Sequence, residues 1–377
     1  MKFVLFYHSF VSCWNHGNAH FLRGFARELI QLGHRVVVYE PHDGWSRTNA
    51  LTEPGAALPD AAELVPGIEH RFYQLNDLDL DRALDHADVV LVHEWNEPDL
   101  VARVGGKRLA GANFLLLFHD THHRAVTAPD EFDRFDLEAY DGVLAFGDVL
   151  RDIYQRGGWG RRAYTWHEAA DTALFHPSPA ERDIDLIWIG NWGDGEREAE
   201  LVEFLLEPAA RLNLRTCIHG VRYPEQVRAR LQAAGIAYPG WLPNHLVPEA
   251  FARAHMTVHV PRRPYVKALP GIPTIRIFEA LACGIPVVTA RWQDIEGLFP
   301  PGSFLKVATG AEMTAALALL RNDPAVAAEL ARAGLRAIEA RHTCAHRAAE
   351  LLNICANLDQ PARRRDQTTS SERMVNA

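Results

Sequence analysis

Cysteine is scarce. Cys13, Cys217, Cys283, Cys344 and Cys355 are the only five, and none falls in a Cys-x-x-Cys pair. Neither a disulfide framework nor a zinc site of paired thiolates is expected from that spacing, and a reducing, cytoplasmic setting is the default expectation. Long apolar runs are missing as well: none reaches the roughly 18 residues that a spanning helix needs. Met1–His8 carries one lysine and a short apolar run, with no small-residue cleavage site after it. It reads as a first strand rather than a signal peptide. Nor is there an excess of basic charge. Thirty-nine Lys and Arg against 48 Asp and Glu give a net charge of −9, which argues against nucleic acid or an anionic membrane as the main partner.

What is there is a pattern that starts twice. The 377 residues exceed the roughly 250–300 that one hydrophobic core supports, so two domains are expected. In the first half the short apolar runs Lys2–Tyr7, Arg35–Tyr39, Asp88–Val92, Phe114–Phe118 and Gly142–Phe146 alternate with helical segments. The clearest helix is Ala19–Leu32, with Phe21, Leu22, Phe25, Ala26, Leu29 and Ile30 on one stripe and Gly33 as its stop. The second half repeats the alternation with Asp185–Ile189, Thr216–His219, Met256–Val260 and Ile285–Thr289 as strands and Glu196–Leu206 and Thr274–Ala282 as helices. Near-continuous apolar strands between helices indicate parallel sheets covered on both faces.

The expected fold is therefore α/β, with two Rossmann-like domains facing a central cleft and further helices at the C-terminus. Boundaries fall at 1–168 for the first domain, 181–340 for the second, 341–358 for a C-terminal helix and 359–377 for a polar tail read as disordered. Trp166–Ala180, with Pro177 and Pro179, is the linker. Residues 41–66 read as one long loop, a candidate lid.

The strongest chemical signal is Arg276-Ile277-Phe278-Glu279-Ala280-Leu281-Ala282-Cys283-Gly284, a short amphipathic helix that starts near Thr274, followed by a strand entered through Pro286. A helix N-terminus here favours an anion such as a diphosphate, through its free N–H groups and its dipole. The carboxylate of Glu279, one turn in, suits a ribose diol; its bland alternative is a local salt bridge. This segment resembles the C-terminal signature of family 4 GT-B glycosyltransferases, and more closely their CgeB-type (spore-maturation) branch, with its Arg-x-Phe-Glu-Ala-x-Ala-x-Gly. The resemblance implies a two-domain enzyme that takes a sugar from a nucleoside-diphosphate sugar, without metal or cofactor and with retention of configuration. Its second signature glutamate, the ribose ligand, matches Glu279. The position of the first, a sugar contact, is Gly271, so the sequence departs from the pattern there.

The same resemblance assigns Gly190, Asn191 and Arg197 to the loop opening the donor domain, and Trp241 and Leu242 to the nucleobase. Arg262, Arg263 and Lys267 follow a strand where a diphosphate would sit, together with the Thr274, Ile275 and Arg276 backbone. Gly17 and Asn18 lie in the first strand-to-helix loop, at the carboxyl edge where open α/β sheets bind ligands. On the acceptor side the resemblance implies His93, Glu94, Asp120 and His122, with His119 as the catalytic-site histidine. The run His119–His123 also has the residue types of a metal site, though no second cluster of suitable spacing accompanies it. Other readings are a nucleotide-sugar 2-epimerase and a non-catalytic nucleotide-sugar binding protein. The acceptor, whether small molecule, glycan or protein, is not specified by these motifs. Trp14, Trp45 and Trp95 fall in loops next to the presumed cleft and could stack on a sugar or an aromatic acceptor, although packing is the commoner use of tryptophan.

Overall fold

A computed structural model describes residues 1–54 and 57–373, with side chains described to residue 358. The first domain holds seven parallel strands: β1 (Lys2–Phe6), β2 (Arg35–Pro41), β3 (Glu69–Tyr73), β4 (Val89–His93), β5 (Leu115–Asp120), β6 (Gly142–Ala145) and β7 (Ala163–Thr165), in the order β3-β2-β1-β4-β5-β6-β7. The second holds six: β8 (Ile184–Ile189), β9 (Thr216–His219), β10 (Ala237–Gly240), β11 (Ala254–His259), β12 (Val287–Ala290) and β13 (Leu305–Val307), in the order β10-β9-β8-β11-β12-β13.

All pairings are parallel, with Val4 opposite Val37 on one side and Val90 on the other. β1 and β4 are buried almost throughout, as helices on both faces of a parallel sheet require. The strand order reverses between β1 and β4 in one sheet and between β8 and β11 in the other. The loops leaving these strands at their carboxyl ends therefore diverge and leave a crevice in each domain.

Four strands escape the sequence pattern. β3 (Glu-His-Arg-Phe-Tyr) and β10 are edge strands with half-exposed or exposed residues, and β7 and β13 are three residues long; edge position and brevity remove the apolar run. The 41–66 segment is not one loop, because it contains the short helices Trp45–Ala50 and Ala61–Leu64. The helix expected at Glu196–Leu206 begins at Glu198, widens into a π turn over Val202–Leu206 and continues to Arg211. Pro208, which has no N–H to return to the preceding turn, accounts for the widening.

The last helix, Cys344–Arg373, runs past the boundary expected at 358, and residues 374–377 of the expected tail lie outside the described residues. It begins beneath the first domain. Ala170 pairs with the start of this helix, its N–H donating to His342 O (2.9 Å) and its carbonyl accepting from the Cys344 N–H (3.0 Å). The buried Trp166 indole donates to Arg347 O at 2.9 Å. Phe21 and Phe25 of the first helix, Trp166, and Ala348 and Leu351 of the last helix share one buried cluster with Ile277, Phe278 and Leu281 of the second domain. Each such side chain contributes about 1.5–3 kcal/mol on burial, so the domains are joined by a core as well as by a linker.

Candidate active site

The two crevices face each other across a cavity of about 790 Å³, a size suited to a nucleotide-sized ligand. One wall comes from the second domain. After β8 the chain turns through Gly190–Gly195, where Gly193 has φ +126° and a Cβ placed on it would stand 2.5 Å from Arg197 Cγ. Only glycine lets that backbone lie against the arginine.

Arg197 precedes the helix at Glu198–Leu201 and is buried. Its guanidinium donates to Asn191 O (3.0 Å), Asn191 Oδ1 (2.5 Å) and Val260 O (3.2 Å), and it lies over the Trp188 ring at 5.1 Å. Every one of those oxygens is neutral, and Nε has no hydrogen-bond partner among the described residues. Burial, with Arg262 nearby, lowers its pKa to about 9, so it remains a cation at neutral pH. A buried cation held by neutral oxygens gains strongly from an anion.

Beside it, the helix Ile275–Ala282 points its N-terminus at the cavity. Thr274 would cap it, but its hydroxyl is engaged by His259 Nε2 (3.0 Å), whose Nδ1 is in turn paired with Thr289 Oγ1 (2.7 Å). The first-turn N–H groups are thus left without a side-chain cap, the arrangement that binds phosphate. Arg262 is different: Glu196 (2.5 Å) and Asp194 (3.3 Å) neutralise it. Burial raises the Glu196 pKa, but the neighbouring His123 and the hydrogen-bonded Arg262 outweigh it and hold the carboxylate down to about 2. His123 Nε2 stands 3.5 Å from this carboxylate across the cleft.

The first domain meets this wall closely. Gly17 has no room for a side chain, since a Cβ would stand 2.8 Å from Ile275 Cγ2. Asn244 Nδ2 donates to Gly17 O (2.9 Å), and Asn191 Nδ2 to Asn15 Oδ1 (2.7 Å).

Most of the expected donor residues line the cavity together: Gly17, Asn18, Gly190, Asn191, Arg197, Trp241, Leu242, Arg262, Thr274, Ile275 and Arg276. Three do not. Arg263 turns away to Gly195 O, Glu196 O and the Glu198 and Glu200 carboxylates, and Lys267, at the end of the short Arg263–Lys267 helix, is exposed to solvent. Glu279 is fully buried behind the wall, with Oε2 taken by Arg276. His20 Nε2 is 3.0 Å from Oε1 but off the hydrogen-bonding line, so that oxygen has no hydrogen-bond partner among the described residues. Burial raises the Glu279 pKa, yet the neighbouring charges of Arg276 and His20 hold it below the usual carboxylate range. In this arrangement the carboxylate positions Arg276 rather than facing a ribose.

On the acceptor side only His122 reaches the cavity. His119, His93, Glu94 and Asp120 are all buried beneath its floor. His119 lies among Phe21, Trp166 and His93, and burial lowers its pKa to about 3. Glu94 is bound by Arg124, while Asp120 accepts from Tyr154 Oη (2.9 Å) and the His122 N–H (2.9 Å). Alternation along β5 explains the split, since the strand is covered on both faces and only its end opens onto the cleft. Among the described residues no group of three or more His, Cys, Asp or Glu side chains is arranged to hold a metal ion.

Sequence reasoning missed Glu168. It ends the linker side of the first domain and lines the cavity, yet only 3% of it is exposed, and its Oε1 has no partner. Burial and the nearby Glu279 charge raise its pKa well above the usual range, which favours the protonated carboxyl. Gly271, the position of the missing signature glutamate, has φ +95° and packs against Ile295. A side chain there would be strained. Gly271 itself does not line the cavity, whereas Glu168 does.

The architecture can now be placed. The fold is GT-B. Residues 197–353 match the family described as glycosyl transferase-like. Among solved structures, sucrose-phosphate synthase from Thermosynechococcus elongatus aligns over 95% of this chain and 98% of its own, at 16% identity and TM-score 0.66. Anabaena HepE in complex with UDP and glucose aligns over 95% and 100%, at 14% and 0.65. An α-glucosyltransferase in complex with UDP and a 13-mer DNA aligns over 94% and 100%, at 12% and 0.68. No curated protein sequence matches the chain. Among the described residues no helix is long and apolar enough to cross a membrane.

Proposed function

We propose that this GT-B protein is a metal-independent hexosyltransferase that takes its sugar from a UDP-sugar, retains the configuration and belongs to the family 4-like, CgeB-type branch on the strength of Arg276–Gly284. The observation that carries the reading is Arg197, a buried guanidinium paired only with neutral oxygens at the cavity wall, next to an uncapped helix N-terminus. UDP is the nucleotide because the GT-B structures named above include complexes with it. The base would lie against Trp241 and Leu242, where the buried Trp241 Nε1 has no partner. The diphosphate would take Arg197, Arg276 and the first-turn N–H groups.

As the bond to the anomeric carbon breaks, negative charge grows on the departing diphosphate. Fixed cations and N–H dipoles stabilise that charge without reorganising. Glu168, whose raised pKa favours the protonated form, would donate a hydrogen bond to a hydroxyl of the transferred sugar. Contacts between the Gly17 loop and Ile275 would keep water from the reacting carbon. The net charge of −9 supports an acceptor other than nucleic acid and is compatible with a cytoplasmic setting.

Calorimetry of the full chain with UDP, GDP and ADP, with and without EDTA, tests the reading. Micromolar UDP binding that survives chelation is expected, followed by UDP release from UDP-glucose when acceptor is added. If no nucleoside diphosphate binds at millimolar concentration, the donor assignment is wrong. UDP release with isomerised sugar and no acceptor product would favour the epimerase.

A further inference from the structure

The cavity has two electrostatic halves. Among its described lining residues every arginine, namely Arg197, Arg222, Arg262 and Arg276, belongs to the second domain, and none of the lining residues is a lysine. The first-domain wall presents Trp14, Trp45, Trp95, Asn49, His16 and His122. Two of its histidines are disfavoured as cations: burial, with Arg23 and His20 nearby, lowers His16 to about 3, and burial with His123 and Arg124 lowers His122 well below its ordinary value.

The three indoles come from three separate segments, after β1, β2 and β4, yet they meet. Trp45 and Trp95 have centroids 6.0 Å apart at 63°, and Trp14 and Trp45 are 6.2 Å apart at 77°. Each is held from behind. Trp14 Nε1 donates to Glu53 at 2.7 Å, Trp45 stacks on His8 at 5.8 Å and 17°, and the Arg124 guanidinium sits 4.1 Å over Trp95. None of the three is fully buried. Rigid, partly wet indoles set at angles to one another form a wall for a flat ring, with little conformational entropy left to lose.

We propose that this wall is an acceptor subsite for an uncharged sugar ring, whose C–H face lies on Trp45 and Trp95 and whose hydroxyls meet Asn49, His16 and His122. The assignment rests on the donor reading above. A phosphate-bearing or other anionic acceptor would find no lining lysine or arginine on this wall, since Arg124 behind Trp95 is already paired with Glu94. A hydroxyl-poor aromatic acceptor would leave the amide and imidazoles unpaired, which is costly in a partly dry site.

Methyl glycosides of glucose, galactose, mannose and N-acetylglucosamine serve as probes, set against their glucuronide and sugar-phosphate counterparts and against simple phenols. Binding is read by tryptophan fluorescence and ligand-observed NMR on the full chain with UDP present, and transfer from UDP-glucose by mass spectrometry. At least one neutral glycoside should bind and be glycosylated, and Trp45→Ala and Trp95→Ala should raise its KM by roughly 3- to 10-fold while UDP affinity measured separately stays within about twofold of wild type. Preference for the anionic or phenolic probes, neutral glycosides that neither bind nor react while UDP binds normally, or indifference to both tryptophan substitutions would overturn the proposal. Neutral glycosides that bind in a tryptophan-dependent way to a chain that ignores UDP would uphold the sugar wall and bring down the donor reading instead.

Discussion

The wall from the second domain is built around charge, and the wall from the first domain around rings. The cationic wall depends on one helix N-terminus, two strand-end loops and an arginine that lacks a carboxylate partner. The neutral wall depends on indoles and imidazoles brought from four strand ends. A diphosphate leaving group changes its charge during transfer and needs fixed counter-charge, whereas a neutral acceptor changes little and needs shape and hydrogen bonds. The asymmetry of the cleft suits the asymmetry of the proposed reaction.

The sharpest way to break this contrast is to remove its strongest cation. Arg197→Ala should weaken UDP binding by about 10- to 100-fold, the value of hydrogen bonds to a charged group, and leave the fold intact by circular dichroism. UDP affinity equal to wild type would mean that the anion site lies elsewhere. Glu279→Gln comes next. Freed from its carboxylate, Arg276 should lose its set position, and donor affinity should fall about tenfold. The variant should also lose an acid-sensitive contribution. Because the folded-state pKa of Glu279 is lowered, its stabilisation is present above the unfolded carboxylate range and is lost as pH falls through the folded value. Wild type and variant should therefore converge in denaturant midpoint at low pH, and parallel curves would contradict this.

Gly17→Ala tests whether the two walls depend on each other. The added methyl would stand 2.8 Å from Ile275 Cγ2, and overpacking against a stiff β-branched side chain costs roughly 1–3 kcal/mol. Part of that should appear as an affinity loss of about fivefold for UDP, although residue 17 belongs to the opposite domain; unchanged calorimetry would show that the domains close independently of this contact.

The smallest effect is expected from Glu168→Gln. The folded pKa of Glu168 is raised, so its contribution to stability is fully present below the unfolded value and is lost as pH rises through the folded one. The glutamine keeps the shape without a proton to lose. Its melting midpoint should match wild type near pH 5 and exceed it by about 2–4 °C near pH 8. Equal midpoints at both pH values would mean that the buried carboxyl is ionised.

The cationic wall was the more legible of the two. Its residues cluster in short stretches, such as Gly190–Arg197 and Thr274–Glu279, where a local turn and a helix start already imply an anion. Even there, direction was hidden: Arg262 and Arg263 are adjacent, yet only the first faces the cavity, because a side chain's bearing depends on the backbone angle at which the next helix departs. Glu279 was singled out for a ribose but lies behind Arg276, since a buried carboxylate is satisfied by the nearest cation. His119 was expected at the reacting centre and sits in the floor, because a parallel strand is covered on both faces and only the residues past its end meet the cleft. Glu168 had no local signal, being one polar residue in a linker without periodicity.

Alternation of apolar runs with amphipathic helices is a local property of the chain. It was enough to imply two parallel α/β domains and the glycine-marked loops at their strand ends, because backbone hydrogen bonding and burial act over a few residues. Which side chains share a cavity is a different matter. Trp14, Trp45 and Trp95, or Arg197 and Arg276, lie tens of residues apart and meet only because strand order reverses at β1 and β8 and the last helix ties the two domains together. The charge of each wall is set there too, since burial and neighbouring charges, which no local segment contains, lower the pKa of His16, raise that of Glu168 and leave Arg197 a cation without a carboxylate partner among the described residues.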